Sequence, residues 1–202
     1  MKKKRNERPS TEVIAAEVKR IRYKRRYRSV LKSTVYALIT VAAVAVLVAT
    51  LWLPVLRTYG SSMAPTLQDG EIIFSVKTSK MEPGDIVAFY YNNKILLKRV
   101  IAGPGDWVNI DEDGTVYVNN VELFEPYLQE KAYGETNIEL PYQVPDGKYF
   151  VMGDHRATSI DSRNTEVGCV TVEQIVGRIL VRVWPLERFT VFEIKTGILP
   201  AE

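Results

Sequence analysis

The chain has 202 residues, 46% of them hydrophobic, and a formal net charge of +3. A single cysteine, Cys169, excludes an intramolecular disulfide, and a single histidine, His155, argues against a multi-histidine metal site. The small net charge conceals a division: residues 1–32 carry 13 Lys/Arg against three Glu, whereas the rest carries 14 Lys/Arg against 21 acidic residues.

The first predicted element is a basic arm, residues 1–32. Its run KRIRYKRRYR could suggest nucleic-acid binding. The neighbouring segment argues against that. Residues 33–56, STVYALITVAAVAVLVATLWLPVL, contain 24 residues and no charge. A helix of that length reaches about 36 Å, against about 30 Å of bilayer hydrocarbon. A cleaved signal peptide has a shorter apolar region, about 7–15 residues, and no crisp A-x-A site comes after this one. The run therefore predicts one transmembrane helix, with Trp52 as an interfacial anchor. The arm is then expected in the cytoplasm, beside anionic lipid, and the remainder outside, with no nucleic-acid partner.

Residues 57–202 form the predicted body, 146 residues long and able to bury one sizeable core without disulfides. Strands are expected at 71–77, 85–91, 95–102, 107–110, 115–123, 148–154 and 177–185. They are short and rich in Val, Ile, Tyr and Phe, and turn signals such as EPGD, GPGD and DEDG separate them. A short helix is expected only at 171–177, with Thr171 as its cap. Residues 124–147 read as an irregular excursion. The pattern predicts a mainly β body, an antiparallel sandwich or barrel.

Three segments carry possible chemistry. The first is GSSMAPTL, residues 60–67. A serine in a Gly/Pro turn becomes a nucleophile only beside a base. His155, near Asp154 or Asp161, would make a triad; a lysine with a lowered pKa would make a dyad. The second segment, KRVIAGPGD (98–106), offers Lys98. Along a strand, Leu96, Lys98 and Val100 share one face, and Leu97, Arg99 and Ile101 the other. One of the two cations is thus expected against apolar surface, where desolvation would release a neutral amine able to accept a proton. The third, GDHRATSIDSR (153–163), gathers Asp154, Arg156, Asp161 and Arg163 around Ser159. Such an ion-paired loop would hold Ser159 rigidly against a lysine amine.

In this order, behind a membrane helix, these segments and GDIVAF (84–89) resemble the type I signal peptidases, the membrane-bound Ser/Lys endopeptidases of peptidase family S26. The resemblance covers about residues 36–185. The single N-terminal helix and compact body look like the Gram-positive subtype. The resemblance implies Ser62 as nucleophile, Lys98 as general base and Ser159 as the residue that orients the lysine. It implies structural roles for Asp154, Asp161 and Arg163, and an oxyanion hole at Ser62 and Gly60. Some relatives carry a serine at position 60, and glycine there leaves the Ser62 N–H to do more of the work. Tyr59, Met63 and Leu97 are implied substrate contacts.

The implied activity is removal of signal peptides from exported preproteins after small residues, as in Ala-X-Ala, with no metal or cofactor. The last segment departs from the usual GDNRDNS at His155, Ala157 and Thr158, and His155 is expected to be a hydrogen-bonding surface residue. Two other functions remain to be weighed. A self-cleaving repressor of similar fold is disfavoured by the membrane span. A non-catalytic, membrane-tethered factor in pilus or surface-protein assembly would be expected to lose Ser62 or Lys98, and both are present.

Overall fold

A computed structural model describes residues 11–192. The first ten residues of the basic arm and the last ten of the body lie outside the described residues, as does the side chain of Trp52. The chain divides into two compact units, residues 1–49 and 50–202.

The described residues of the N-terminal unit lie in one helix, α1 (Thr11–Trp52). It begins within the basic arm, so arm and apolar run share a single helix. At 42 residues it is about 63 Å long, and its uncharged part from Ser33 accounts for about 30 Å of that. It is long and apolar enough to cross a membrane, and none of its apolar window is buried within the chain. The predicted span ended at Leu56, but the helix stops at Trp52. Pro54 has no N–H to continue it, and the next residues enter a strand instead.

The body is all β, with no α-helix among its described residues beyond the end of α1. Its strands are β1 (Val55–Arg57), β2 (Ile72–Val76), β3 (Ile86–Tyr91), β4 (Lys94–Ala102), β5 (Trp107–Ile110), β6 (Val116–Val118), β7 (Val121–Glu122), β8 (Tyr142–Gln143), β9 (Lys148–Met152), β10 (Val170–Thr171), β11 (Ile175–Trp184) and β12 (Thr190–Val191). The larger sheet runs β1-β2-β11-β3-β4-β9-β10, with β12 added beside β11; the smaller runs β7-β6-β5-β8. Every pairing is antiparallel.

Two expectations are refined. The run 115–123 is not one strand: Asn119 and Asn120 take φ of 52° and 66°, which turns β6 back onto β7. The helix expected at 171–177 is a single 3₁₀ turn, Val172–Gln174, and Ile175 already begins β11. Gln174 Oε1 accepts from the Thr171 N–H and closes that turn.

Strand β3 shows why the sheet is buried on both faces. Ile86 and Ala88 pack in one cluster with Met63, Leu67, Ile73 and Ile179. Val87 and Phe89, one residue out of phase, pack in another with Val100, Val151 and Ile175. The period of two sends alternate side chains to opposite faces, so a nearly continuous apolar run is required. A third cluster, around Ile101, Val108, Val116 and Phe150, joins residues of the two sheets.

Candidate active site

Ser62 stands on a single turn just after Gly60. Gly60 has φ +83°, a left-handed conformation suited to glycine, and its N–H donates to Asp69 Oδ1 at 2.8 Å. The turn closes through Ala64 N–H to Ser61 O and Leu67 N–H to Met63 O. Met63 and Leu67, four residues apart, are buried in the core at 4% and 1% exposure. Those two anchors pin the turn and leave Ser62 half-buried and Ser61 exposed.

Lys98 lies in β4, opposite Val87 in register and on the strand face it shares with Leu96 and Val100. It is 2% exposed. Its Nζ is 2.8 Å from Ser62 Oγ. The expectation of one buried cation here falls short, because Arg99 is buried as well. The reason is Asp154: its Oδ1 and Oδ2 accept from Arg99 Nε at 2.9 Å and Nη2 at 2.7 Å. A paired guanidinium tolerates burial that a lone one does not. Thr66 Oγ1, from the Ser62 turn, donates to the same Asp154 carboxylate.

Charge balance sets Lys98 apart. Arg99 pairs with Asp154, Arg156 with Glu125, Arg163 with Asp161, and Arg182 with Glu71. Among the described residues, Lys98 is the one buried cation without a carboxylate within ion-pair distance. Burial is the largest influence on it and disfavours the ammonium. Asp161 and Asp154 pull the other way and Arg163 adds to the lowering, leaving a pKa reduced from 10.5 to about 8.

The loop after β9 is built on Asp161 and Arg163. Asp161 Oδ2 accepts from the Gly153 N–H, and both its oxygens accept from the Arg163 guanidinium. Burial works against the charged carboxyl, but Arg163 and the Gly153 N–H hold its pKa below the usual range. Arg163 also donates to the Arg156 and Ser159 carbonyls, bracing the loop from inside. The His155 N–H donates to the carbonyl of Ser62 at 3.0 Å, which ties this loop to the turn bearing the serine.

The expected site residues thus fall into groups. Ser62 and Lys98 meet. Asp154, Asp161 and Arg163 form the adjoining ion-paired loop. Ser159 is buried in that loop beside Asp161, whose charged carboxylate its hydroxyl helps to favour, and its Oγ makes no hydrogen bond to Lys98 Nζ. The Ser62 N–H makes no hydrogen bond among the described residues, whereas the Gly60 N–H is taken by Asp69. Of the implied substrate contacts, Tyr59 is exposed, Leu97 is partly buried and Met63 belongs to the core. The His155 ring bonds to Thr158 Oγ1, not to either serine of the turn. Sequence reasoning placed Arg156 in the ion-paired loop and weighed Arg99 only as an alternative to Lys98, and it assigned no role to Thr66, Glu125 or Tyr127. Arg99 and Arg156 lie inside the quoted motifs, but Glu125 and Tyr127 carry no local signal.

A family model described as signal peptidase, peptidase S26, matches residues 31–184. Signal peptidase I of Bacillus licheniformis is 41% identical over 131 residues, covering 58% of this chain and 69% of the relative. Signal peptidase IB of Staphylococcus aureus is 39% identical over 150 residues, covering 64% and 77%. A solved structure of a signal peptidase I from Enterococcus faecalis aligns with a TM-score of 0.42 at 33% identity, over 49% of this chain and 96% of that one.

Proposed function

The chain belongs to the signal peptidase family, peptidase S26, and is a serine peptidase of the type I, Gram-positive kind; on that footing we propose that it removes signal peptides from exported preproteins with a Ser62/Lys98 dyad. One observation carries the assignment of residues. The single buried cation without a carboxylate partner among the described residues lies 2.8 Å from the hydroxyl of a half-buried serine. An unpaired, desolvated lysine favours the neutral amine, and a neutral amine is the base that a serine nucleophile requires.

The pair accounts for each proton transfer. Lys98 Nζ takes the proton of Ser62 Oγ as the oxygen attacks the carbonyl carbon of the scissile bond. The oxyanion that forms can accept from the free Ser62 N–H. As the carbon–nitrogen bond breaks, the Lys98 ammonium returns its proton to the departing amine, and the mature protein leaves. The signal peptide remains esterified to Ser62. Neutral Lys98 then deprotonates a water, which attacks the ester; as the ester C–O bond breaks, the Lys98 ammonium returns that proton to Ser62 Oγ, the peptide leaves with a new carboxyl group, and the starting dyad is restored.

Cleavage after a small residue, as at Ala-X-Ala, is the specificity carried over from the family. Helix α1 anchors the enzyme in the membrane, with the basic arm on the cytoplasmic side and the body outside. The Lys/Arg excess before the uncharged span supports that orientation. The test is cleavage of a preprotein bearing an Ala-X-Ala site by the full chain in detergent. The wild type is expected to cut it, and Ser62→Ala and Lys98→Ala are expected not to. Full activity in Lys98→Ala would overturn the dyad.

A further inference from the structure

Residues 125–137 carry no strand, yet they contact three buried arginines near the candidate site, Arg99, Arg156 and Arg163. The Tyr127 ring lies under Arg99, with the guanidinium carbon 3.9 Å from its centroid. The Glu125 carboxylate accepts from Arg156 Nη1 at 3.1 Å and Nη2 at 2.5 Å. The carbonyls of Ala132 and Tyr133 accept from Arg163 Nη1 at 3.3 and 2.9 Å. Two further contacts close the segment down. Tyr127 Oη donates to Glu125 Oε1 at 2.6 Å, and the Asn137 N–H donates to the Arg163 carbonyl at 3.0 Å. Gly134 makes the approach possible. It has φ +66°, and a Cβ there would fall 2.5 Å from Arg163 Nη1 and 2.6 Å from the Arg156 carbonyl oxygen.

From each arginine the connection to the candidate dyad is short. Arg99 is next to Lys98 in β4 and grips Asp154 through two nitrogens. Arg156 Nε donates back to the Gly153 carbonyl at 3.1 Å, while its own carbonyl is held by Arg163. Between Gly153 and Arg156 lies His155, whose N–H holds the carbonyl of Ser62. The 153–156 turn therefore sets the main chain of the nucleophile, and Glu125 sets the turn.

We infer that residues 125–137 are a strap that positions the dyad, with Glu125 and Tyr127 as its positioning residues. The inference rests on the Ser/Lys reading of the site. Removing the Glu125 charge strands a fully buried guanidinium, which must find water or a new partner by moving. The turn moves with it. A misplacement of about 1 Å at a reacting group costs on the order of 10²-fold in rate. Substrate binding is touched less, because neither side chain faces a substrate group in this reading.

The experiment compares wild type, Glu125→Gln, Tyr127→Leu and Lys80→Met as full chains in detergent, on the same Ala-X-Ala preprotein. Lys80 supplies the control: it is exposed and lies outside both the strap and the candidate site. Glu125→Gln and Tyr127→Leu are expected to lower kcat at least tenfold with KM within about twofold, and Lys80→Met to leave both unchanged. Amide hydrogen exchange provides a readout that needs no catalysis. Residues 153–159 are expected to exchange at least tenfold faster in the first two variants and not in the third. If Glu125→Gln fails to fold, Tyr127→Leu decides alone. Wild-type cleavage lost in Ser62→Ala but with kcat retained in both strap variants would overturn the inference, as would unchanged exchange at 153–159. Loosened exchange in a protein that cuts no preprotein would leave the strap standing and sink the proposed function instead.

Discussion

Gly153 leaves no room for a side chain against Ser159. A Cβ at position 153 would fall 2.2 Å from Ser159 Oγ and 2.5 Å from the main-chain oxygen of Ser62. The first neighbour is a buried hydroxyl packed beside Asp161; the second is backbone and cannot swing aside. Gly153→Ala is therefore expected to destabilise the body by about 1–3 kcal/mol and to displace the Ser62 turn. Gly103→Ala is the comparison, because its nearest neighbour, Asp106 Oδ2, would lie at an ordinary 3.6 Å. Thermal unfolding should separate the two variants, and preprotein cleavage should be lost only in the first. A Gly153→Ala protein with wild-type stability and rate would mean that the loop is not packed on the nucleophile as described.

The neighbours of the dyad test its identity more sharply than the dyad itself. Ser61 is exposed and lies beside Ser62, and the His155 ring is bonded to Thr158. Ser61→Ala and His155→Asn are expected to cut a preprotein at rates within a few-fold of wild type. The main-chain N–H of His155, which holds Ser62, survives that substitution. Loss of activity in His155→Asn with folding intact would point back to a histidine base.

Much of the sheet was legible in the sequence, because β3, β4, β9 and β11 are runs of β-branched and aromatic residues bounded by turn signals. The two-residue strands β8, β10 and β12 were not, since two residues hold no period to recognise. Ser62 and Lys98 stood out within short motifs, and they are the two side chains brought to 2.8 Å. What the sequence hid was the pairing of charges. Arg99 meets Asp154 across 55 positions, and Glu125 meets Arg156 across 31. No local pattern links residues so far apart, so the segment holding Glu125 and Tyr127 read as an irregular excursion.

The lowered Lys98 pKa sets the pH dependence of cleavage. The base must be neutral, so kcat/KM should be low in acid, rise with pH and reach half its plateau near pH 8. A lysine in water would place that midpoint above pH 10. A profile of kcat/KM from pH 6 to pH 11 decides between them. A rising limb confined to the region near pH 10 would mean that the ammonium is stable where Lys98 sits, and the amine would not be available as a base at neutral pH.

The same burial makes a prediction about stability, with the sign set by the direction of the shift. Lys98 titrates at about 8 in the folded body and near 10.5 when unfolded. Below pH 8 both states hold the proton, so folding must bury the charge, at a cost of roughly 3 kcal/mol. Between pH 8 and 10.5 the unfolded chain binds more protons than the folded one, so stability rises with pH. Above 10.5 the cost has gone. Lys98→Met removes the titrating group and fills a similar volume. It is expected to be more stable than wild type at pH 7, by up to about 3 kcal/mol, with the difference shrinking as the pH approaches 10.5. Denaturant unfolding of both proteins at pH 7 and pH 10 measures it. A wild type as stable as the variant at pH 7 would mean that Asp161 and Asp154 fully compensate the buried ammonium, so that the Lys98 pKa is not lowered and the neutral amine forms only near pH 10.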